Sequence, residues 1–183
     1  RSGSIIFQVN MIRDLSTLTT LDQLINESDY SGYTFQYPPL FCWEPMPSDG
    51  LTINWAKALE KNASHLGLYI HIPFCVQRCA FCRYFSLALQ HEKQLDDYVA
   101  ALSHEMAVFK DVFAGKNLST VYIGGGTPSL LSLDQLGFLF DSIRRNFSIR
   151  SLEQTVFEGS ADHLTFEKLK LLKKNGVDRL TLG

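Results

Sequence analysis

Apolar and polar positions along this chain follow two alternating periods. In "LGLYIHI", Leu68, Ile70 and Ile72 fall on one side and Tyr69 and His71 on the other, the period of two that marks a strand. The following stretch lengthens to a helical period, with Leu95, Tyr98, Val99, Leu102, Met106, Phe109 and Phe113 on one stripe. "STVYIGGG" returns to strand character and ends in glycines. Ser132 and Gln135 then sit where a capping box opens a second helix, whose stripe is Leu136, Leu139, Phe140, Ile143 and Phe147. "QTVFEG" reads as a third strand. A third helix is capped by Thr165, carries Leu169 and Leu172, and is stopped by Gly176; "RLTLG" begins a fourth strand.

Strands joined by helices through short turns predict right-handed crossovers and a parallel α/β sheet. Such sheets carry their chemistry at the carboxyl ends of the strands. The loop after the first strand, the "GGGTPS" turn after the second and Glu158 at the end of the third all lie at such ends. One rim is therefore the expected site. Residues 1–65 differ: "SDYSGYTFQYPPLFCWEPMPSDG" is rich in aromatics and prolines, with short helical signals around 18–25 and 53–61. They are expected to form an irregular N-terminal extension packed on a core of residues 66–183.

Composition narrows the classes. The 183 residues are 45% hydrophobic and 20% charged with a formal net charge of −2, an ordinary globular balance. No block of Lys and Arg argues for a nucleic acid or an anionic membrane. No apolar run approaches the ~20 residues that span a bilayer, and "RSGSIIFQVNMIRDL" lacks signal-peptide character. Four cysteines, three clustered and Cys42 remote, suit a reducing cytoplasm and a ligand site better than a disulfide framework.

The cluster is "CVQRCAFC": Cys75, Cys79 and Cys82, spaced C-x3-C-x2-C. Three neighbouring thiols cannot all pair as disulfides. A structural zinc needs four ligands; His71 lies on the strand, and Cys42 is a conceivable fourth. Buried structural thiols would not explain the clustering in one loop.

The spacing, with aromatic Phe81 just before the last cysteine, resembles the radical S-adenosylmethionine (SAM) superfamily. The resemblance implies that Cys75, Cys79 and Cys82 ligate three irons of a [4Fe–4S] cluster and leave the fourth to SAM. It also implies that Gly124, Gly125, Gly126 and Thr127 hold the methionyl part of SAM, that Glu158 contacts it, and that Tyr69 and Phe81 lie beside it. The implied fold is the N-terminal part of a (β/α)6 partial barrel, so a chain stopping in the fourth strand is expected to be truncated, with its substrate pocket built largely elsewhere.

"YIHIPFC", "GGGTPS" and "LTFEKLKLLKKNGVDRLTLG" resemble the oxygen-independent coproporphyrinogen III oxidase-like branch, and "QYPP" resembles the extension of some members. True oxidases of that branch carry a further cysteine as C-x-C, whereas Arg83 and Tyr84 follow Cys82 here. That feature is closer to the branch's haem chaperones, haem-degrading radical methylases and C-methylases. The resemblance thus implies an enzyme that cleaves SAM reductively to oxidise or methylate an organic substrate such as a tetrapyrrole. Its electron donor would be of the flavodoxin or ferredoxin kind. The alternatives are a haem chaperone of the same branch and a zinc-stabilised structural domain.

Overall fold

A computed structural model describes residues 55–57, 59–60, 66–82 and 84–183. The described residues from Leu59 onward belong to one compact unit. The expected packing of residues 1–65, the "QYPP" element, the helical signal at 18–25 and Cys42 lie outside the described residues. Of the signal at 53–61, residues 55–57 and 59–60 are helical.

In chain order the elements are β1 (Leu66–Ile72), β2 (Phe74–Cys75), β3 (Leu87–Ala88), α1 (Lys93–Phe109), β4 (Leu118–Gly125), α2 (Leu133–Asn146), β5 (Gln154–Gly159), α3 (Phe166–Lys174) and β6 (Arg179–Leu182). Short 3₁₀ turns at Pro128–Leu130 and Ala161–His163 follow β4 and β5. The main sheet runs β1-β4-β5-β6, all parallel. That is the α/β architecture expected from the alternation.

Register decides which residues share a face. Tyr69 pairs with Tyr122, and Tyr122 with Val156; one residue on, Ile70 pairs with Ile123 and Ile123 with Phe157. Ile70, Ile72, Val121, Ile123 and Phe157 are all at most 2% exposed, so this face is the core face. The stripes of α1 (Leu95, Val99, Leu102, Met106) and α2 (Leu136, Leu139, Phe140, Ile143) are buried as well. The opposite face carries Tyr69, His71, Tyr122 and Glu158 toward the strand ends.

Three stripe assignments need correction. α2 ends at Asn146, so Phe147 is its extended C-cap and not on its stripe. α1 ends at Phe109, so Phe113 is not on it; after the helix its ring meets Phe147 edge-on at 5.9 Å. On α3 only Leu172 is buried, while Leu169 is 40% exposed.

The caps behave as the sequence suggests. Ser132 Oγ accepts from Gln135 N–H at 3.2 Å, and Gln135 Oε1 accepts from Ser132 N–H at 2.8 Å. Gln135 Nε2 also donates to Asp96 of α1 at 2.6 Å. Thr165 Oγ1 accepts from Lys168 N–H, and Gly176 closes the α3 end at φ +86°. Ser132→Ala removes one half of the box and is expected to lower stability by about 0.5–2 kcal/mol, read as a shift in urea midpoint. The box and its bond to Asp96 involve no residue of the cysteine loop, so the loop should keep its metal-binding behaviour.

Candidate metal and cofactor site at the strand ends

Each strand of the main sheet delivers its distinctive residues to one rim. β1 passes through Pro73 into β2, whose Phe74 and Cys75 pair in parallel with Leu87 and Ala88 of β3. Leu87 N–H donates to Pro73 O at 2.7 Å, and Leu89 N–H to Cys75 O at 2.8 Å. This two-residue ladder was invisible in the sequence, because it is too short to show a period. It closes the base of the loop that holds Cys79 and Cys82. The end of β1 is held from the side as well. Tyr98 of α1 donates its hydroxyl to His71 O at 2.7 Å and meets Phe74 edge-on at 5.4 Å. Burial pushes the Tyr98 phenol well above its ordinary pKa, so it stays a donor.

All three loop cysteines are free thiols; Cys79 is exposed, and Cys75 and Cys82 are half-buried. Among the described residues no three His, Cys, Asp or Glu side chains are gathered about a common centre. The donor chemistry nonetheless suits an iron–sulfur cluster: three soft ligands, reachable from solvent, on one short loop. A four-ligand zinc set finds less support. His71 has both ring nitrogens in hydrogen bonds, to Tyr69 Oη at 3.0 Å and Phe85 O at 2.9 Å.

The glycines of "GGGTPS" answer first to the protein's own packing. Gly125 has φ +120°, and a Cβ there would lie 2.8 Å from Ile72 O and 2.9 Å from the His71 ring. A Cβ on Gly126 would meet Phe74 O at 2.7 Å and Cys75 Sγ at 2.8 Å. Gly126 N–H donates to Ile72 O at 2.8 Å. The turn after β4 is thus pressed against the start of the cysteine loop, and the Cys75 sulfur rests on Gly126. The resemblance, which assigns these glycines to the methionyl part of SAM, gave no sign of this contact within the chain.

Glu158 bridges the ends of two strands. Its carboxylate accepts from Gly125 N–H at 3.0 Å and from the Tyr122 hydroxyl. That bond to Glu158 is the main reason the Tyr122 phenol is held above its ordinary pKa. Tyr69 stacks obliquely on Tyr122, with ring centroids 5.7 Å apart. Its own phenol is pushed up to about 12, first by burial and then by the Glu158 charge. Tyr69 therefore remains protonated in any working buffer.

Behind the rim, Ser129 is fully buried; its Oγ accepts from Ser160 N–H at 3.0 Å, and its carbonyl accepts from Lys168 Nζ at 2.7 Å. Burial lowers the Lys168 pKa. These bonds tie the turns after β4 and β5 to α3. Between the two turns lies a cavity of about 220 Å³, walled by Gly125, Gly126, Thr127, Glu158, Ser160 and Thr181. Whole small-molecule sites run to ~300–1,000 Å³. The described rim can enclose part of a cofactor-sized ligand.

The structure thus brings Gly125, Gly126, Thr127 and Glu158 to one cavity edge, with Gly124 close against the Glu158 carboxylate, Cys75 against Gly126 and Tyr69 joined through Tyr122. Phe81 is 84% exposed on the loop, away from this packing. Sequence reasoning missed Tyr122, Ser129, Lys168 and the second role of His71. Tyr122 had a signal, since it stands two residues before Gly124 on the same face.

Comparison with known proteins shows the family and the fold. Residues 69–183 match the family described as the Radical SAM superfamily. The chain is 41% identical over 116 residues to the heme chaperone HemW of Bacillus subtilis, covering 63% of this chain and 30% of that protein. It is 32% identical over 118 residues to the oxygen-independent coproporphyrinogen III oxidase of Escherichia coli, covering 64% and 26%. The solved structure of coproporphyrinogen III oxidase (HemN) from Escherichia coli, described as a radical SAM enzyme, superposes with a TM-score of 0.72 at 27% identity. That match covers 82% of this chain and 34% of the other. The chain spans about a third or less of the length of these relatives.

Proposed function

The chain belongs to the radical SAM superfamily, and from that premise we propose that it forms the cluster- and SAM-binding part of an enzyme acting on an organic substrate such as a tetrapyrrole. The observation that carries this reading is the joining of three strand ends. Cys75 rests on Gly126, Gly125 N–H is bound to Glu158, and both glycines wall the cavity. A cluster held by Cys75, Cys79 and Cys82 would lie next to a ligand in that cavity. When bound, such a cluster supplies the single electron for reductive cleavage of SAM, received from a donor of the flavodoxin or ferredoxin kind. The chain's own residues bind and orient. Glu158 offers a carboxylate for the amino group of SAM, the turn after β4 lines the cavity, and Tyr69 bounds the rim as a neutral phenol. Free thiols suit a reducing cytoplasm; among the described residues no helix is long and apolar enough to cross a membrane.

A second reading is a haem chaperone that keeps the cluster without turning over a substrate. It is favoured by the 41% identity to a protein of that name and by Arg83 and Tyr84 after Cys82, where a C-x-C would mark the oxidase. The test reconstitutes the full chain anaerobically with iron and sulfide, adds SAM and a strong reductant, and follows 5′-deoxyadenosine while haem is titrated in parallel. Nucleoside formation that rises with substrate supports the enzyme. Stoichiometric haem binding without nucleoside formation would replace it with the chaperone.

A further inference from the structure

We infer that His71 is a positioning residue that tethers the exit of the cysteine loop to the end of β1 through one specific N–H, and that it turns the Tyr69 hydroxyl proton away from the rim. Phe85 O can only accept, so the ring nitrogen 2.9 Å from it, Nε2, must carry a hydrogen. In the neutral ring Nδ1 is then bare and accepts the Tyr69 hydroxyl at 3.0 Å. One imidazole thereby joins its own strand to a residue 14 positions later, three beyond Cys82.

The ring is fixed in place. Its centroid lies 5.9 Å from that of Tyr69 and 6.2 Å from that of Phe85, and it packs where a Cβ on Gly125 would be. The loop needs such an anchor. The β2–β3 ladder holds residues from Leu87 onward, whereas the neighbouring Ser86, though buried, adds no side-chain hydrogen bond among the described residues. Phe85 is itself 61% exposed, so packing alone does not hold it. With the Tyr69 proton committed to Nδ1, the hydroxyl oxygen presents only lone pairs to a ligand at the rim. Tyr69 then acts there as an acceptor and not as an acid.

The tether is a property of the metal-free chain, and its effect on iron rests on the proposed function, so the experiment has two arms. The first reads the ring directly: nitrogen-15 spectra of the metal-free full chain should show His71 as the Nε2–H tautomer. The second compares His71→Gln, His71→Asn and His71→Leu. A Gln amide nitrogen reaches about as far as Nε2, whereas an Asn amide reaches only the place of Nδ1. In H71Q the amide N–H groups of Leu87 and Leu89 should exchange with solvent at the wild-type rate, and the reconstituted chain should release iron to a chelator at the wild-type rate. In H71N and H71L both processes should quicken roughly five- to tenfold, the equivalent of one lost hydrogen bond. An Nδ1–H tautomer overturns the inference. So does H71Q exchanging as fast as H71L, or H71L as slowly as wild type. A chain that holds no iron at all would defeat the cluster reading instead, and the tautomer and amide exchange would still decide the tether.

Discussion

Replacing Cys75, Cys79 or Cys82 singly with Ala is expected to take the anaerobically reconstituted protein from about four irons per chain to almost none. The reason lies in the loop's lack of reserves. Between Val76 and Ser86 the sequence has no Asp, Glu or His, so no nearby side chain can take over a lost thiolate's place. His71, the nearest imidazole in sequence, has both nitrogens engaged, and freeing one would undo the hold on Phe85. Cys82 Sγ has only a weak 3.9 Å contact with Tyr84 O, so it is not locked into another role. With three thiolates there is no redundant ligand, and losing one should cost the whole cluster. Cys42→Ala should leave iron and colour unchanged. The measurement is iron and sulfide content beside the visible spectrum of each variant. If Cys42→Ala alone abolished metal binding, a four-ligand zinc site would displace the cluster.

Much of this arrangement was legible because it is local. Leu68, Ile70 and Ile72 against Tyr69 and His71 is a period-two pattern, and the burial of β1 follows it. Ser132 with Gln135, Thr165 and Gly176 are terminal signals that act within four residues, and each does in the structure what its chemistry suggests. The parallel order follows from the strand–helix alternation. The rim's internal bonding was not legible, because it links positions far apart: Tyr122 to Glu158, Lys168 to Ser129, His71 to Phe85. Such pairs leave no period or spacing. The glycine run shows the same limit. A motif can show that the backbone there must lack side chains, but only the fold shows that Ile72, His71 and Cys75 are what press on it.

That distinction predicts different outcomes for two variants of the same rim. Glu158→Gln removes a charge from the cavity wall while keeping its shape. SAM affinity should fall roughly ten- to hundredfold, the effect of losing one charged hydrogen bond worth ~1.5–3 kcal/mol. Iron should be retained, because Glu158 touches the turn after β4 and Tyr122 but no cysteine. Gly125→Val should behave otherwise. Its backbone is at φ +120°, where L side chains are strained by about 1–3 kcal/mol. Its Cβ would also press on a backbone carbonyl, Ile72 O, which cannot swing aside as a side chain could. Overpacking of that kind adds about 1–3 kcal/mol. Together these are a large fraction of a typical ~5–15 kcal/mol fold stability, so a marked fall in Tm is expected. The displaced groups, Ile72 and His71, are those that hold the cysteine loop at its entry and exit. Iron should therefore be lost together with SAM binding. Iron content, SAM affinity and thermal unfolding measured on both variants separate the cases. A Gly125→Val protein that kept its iron and its Tm but lost SAM would show that the glycine faces the ligand alone, and that the close approach to His71 has no consequence for the cluster.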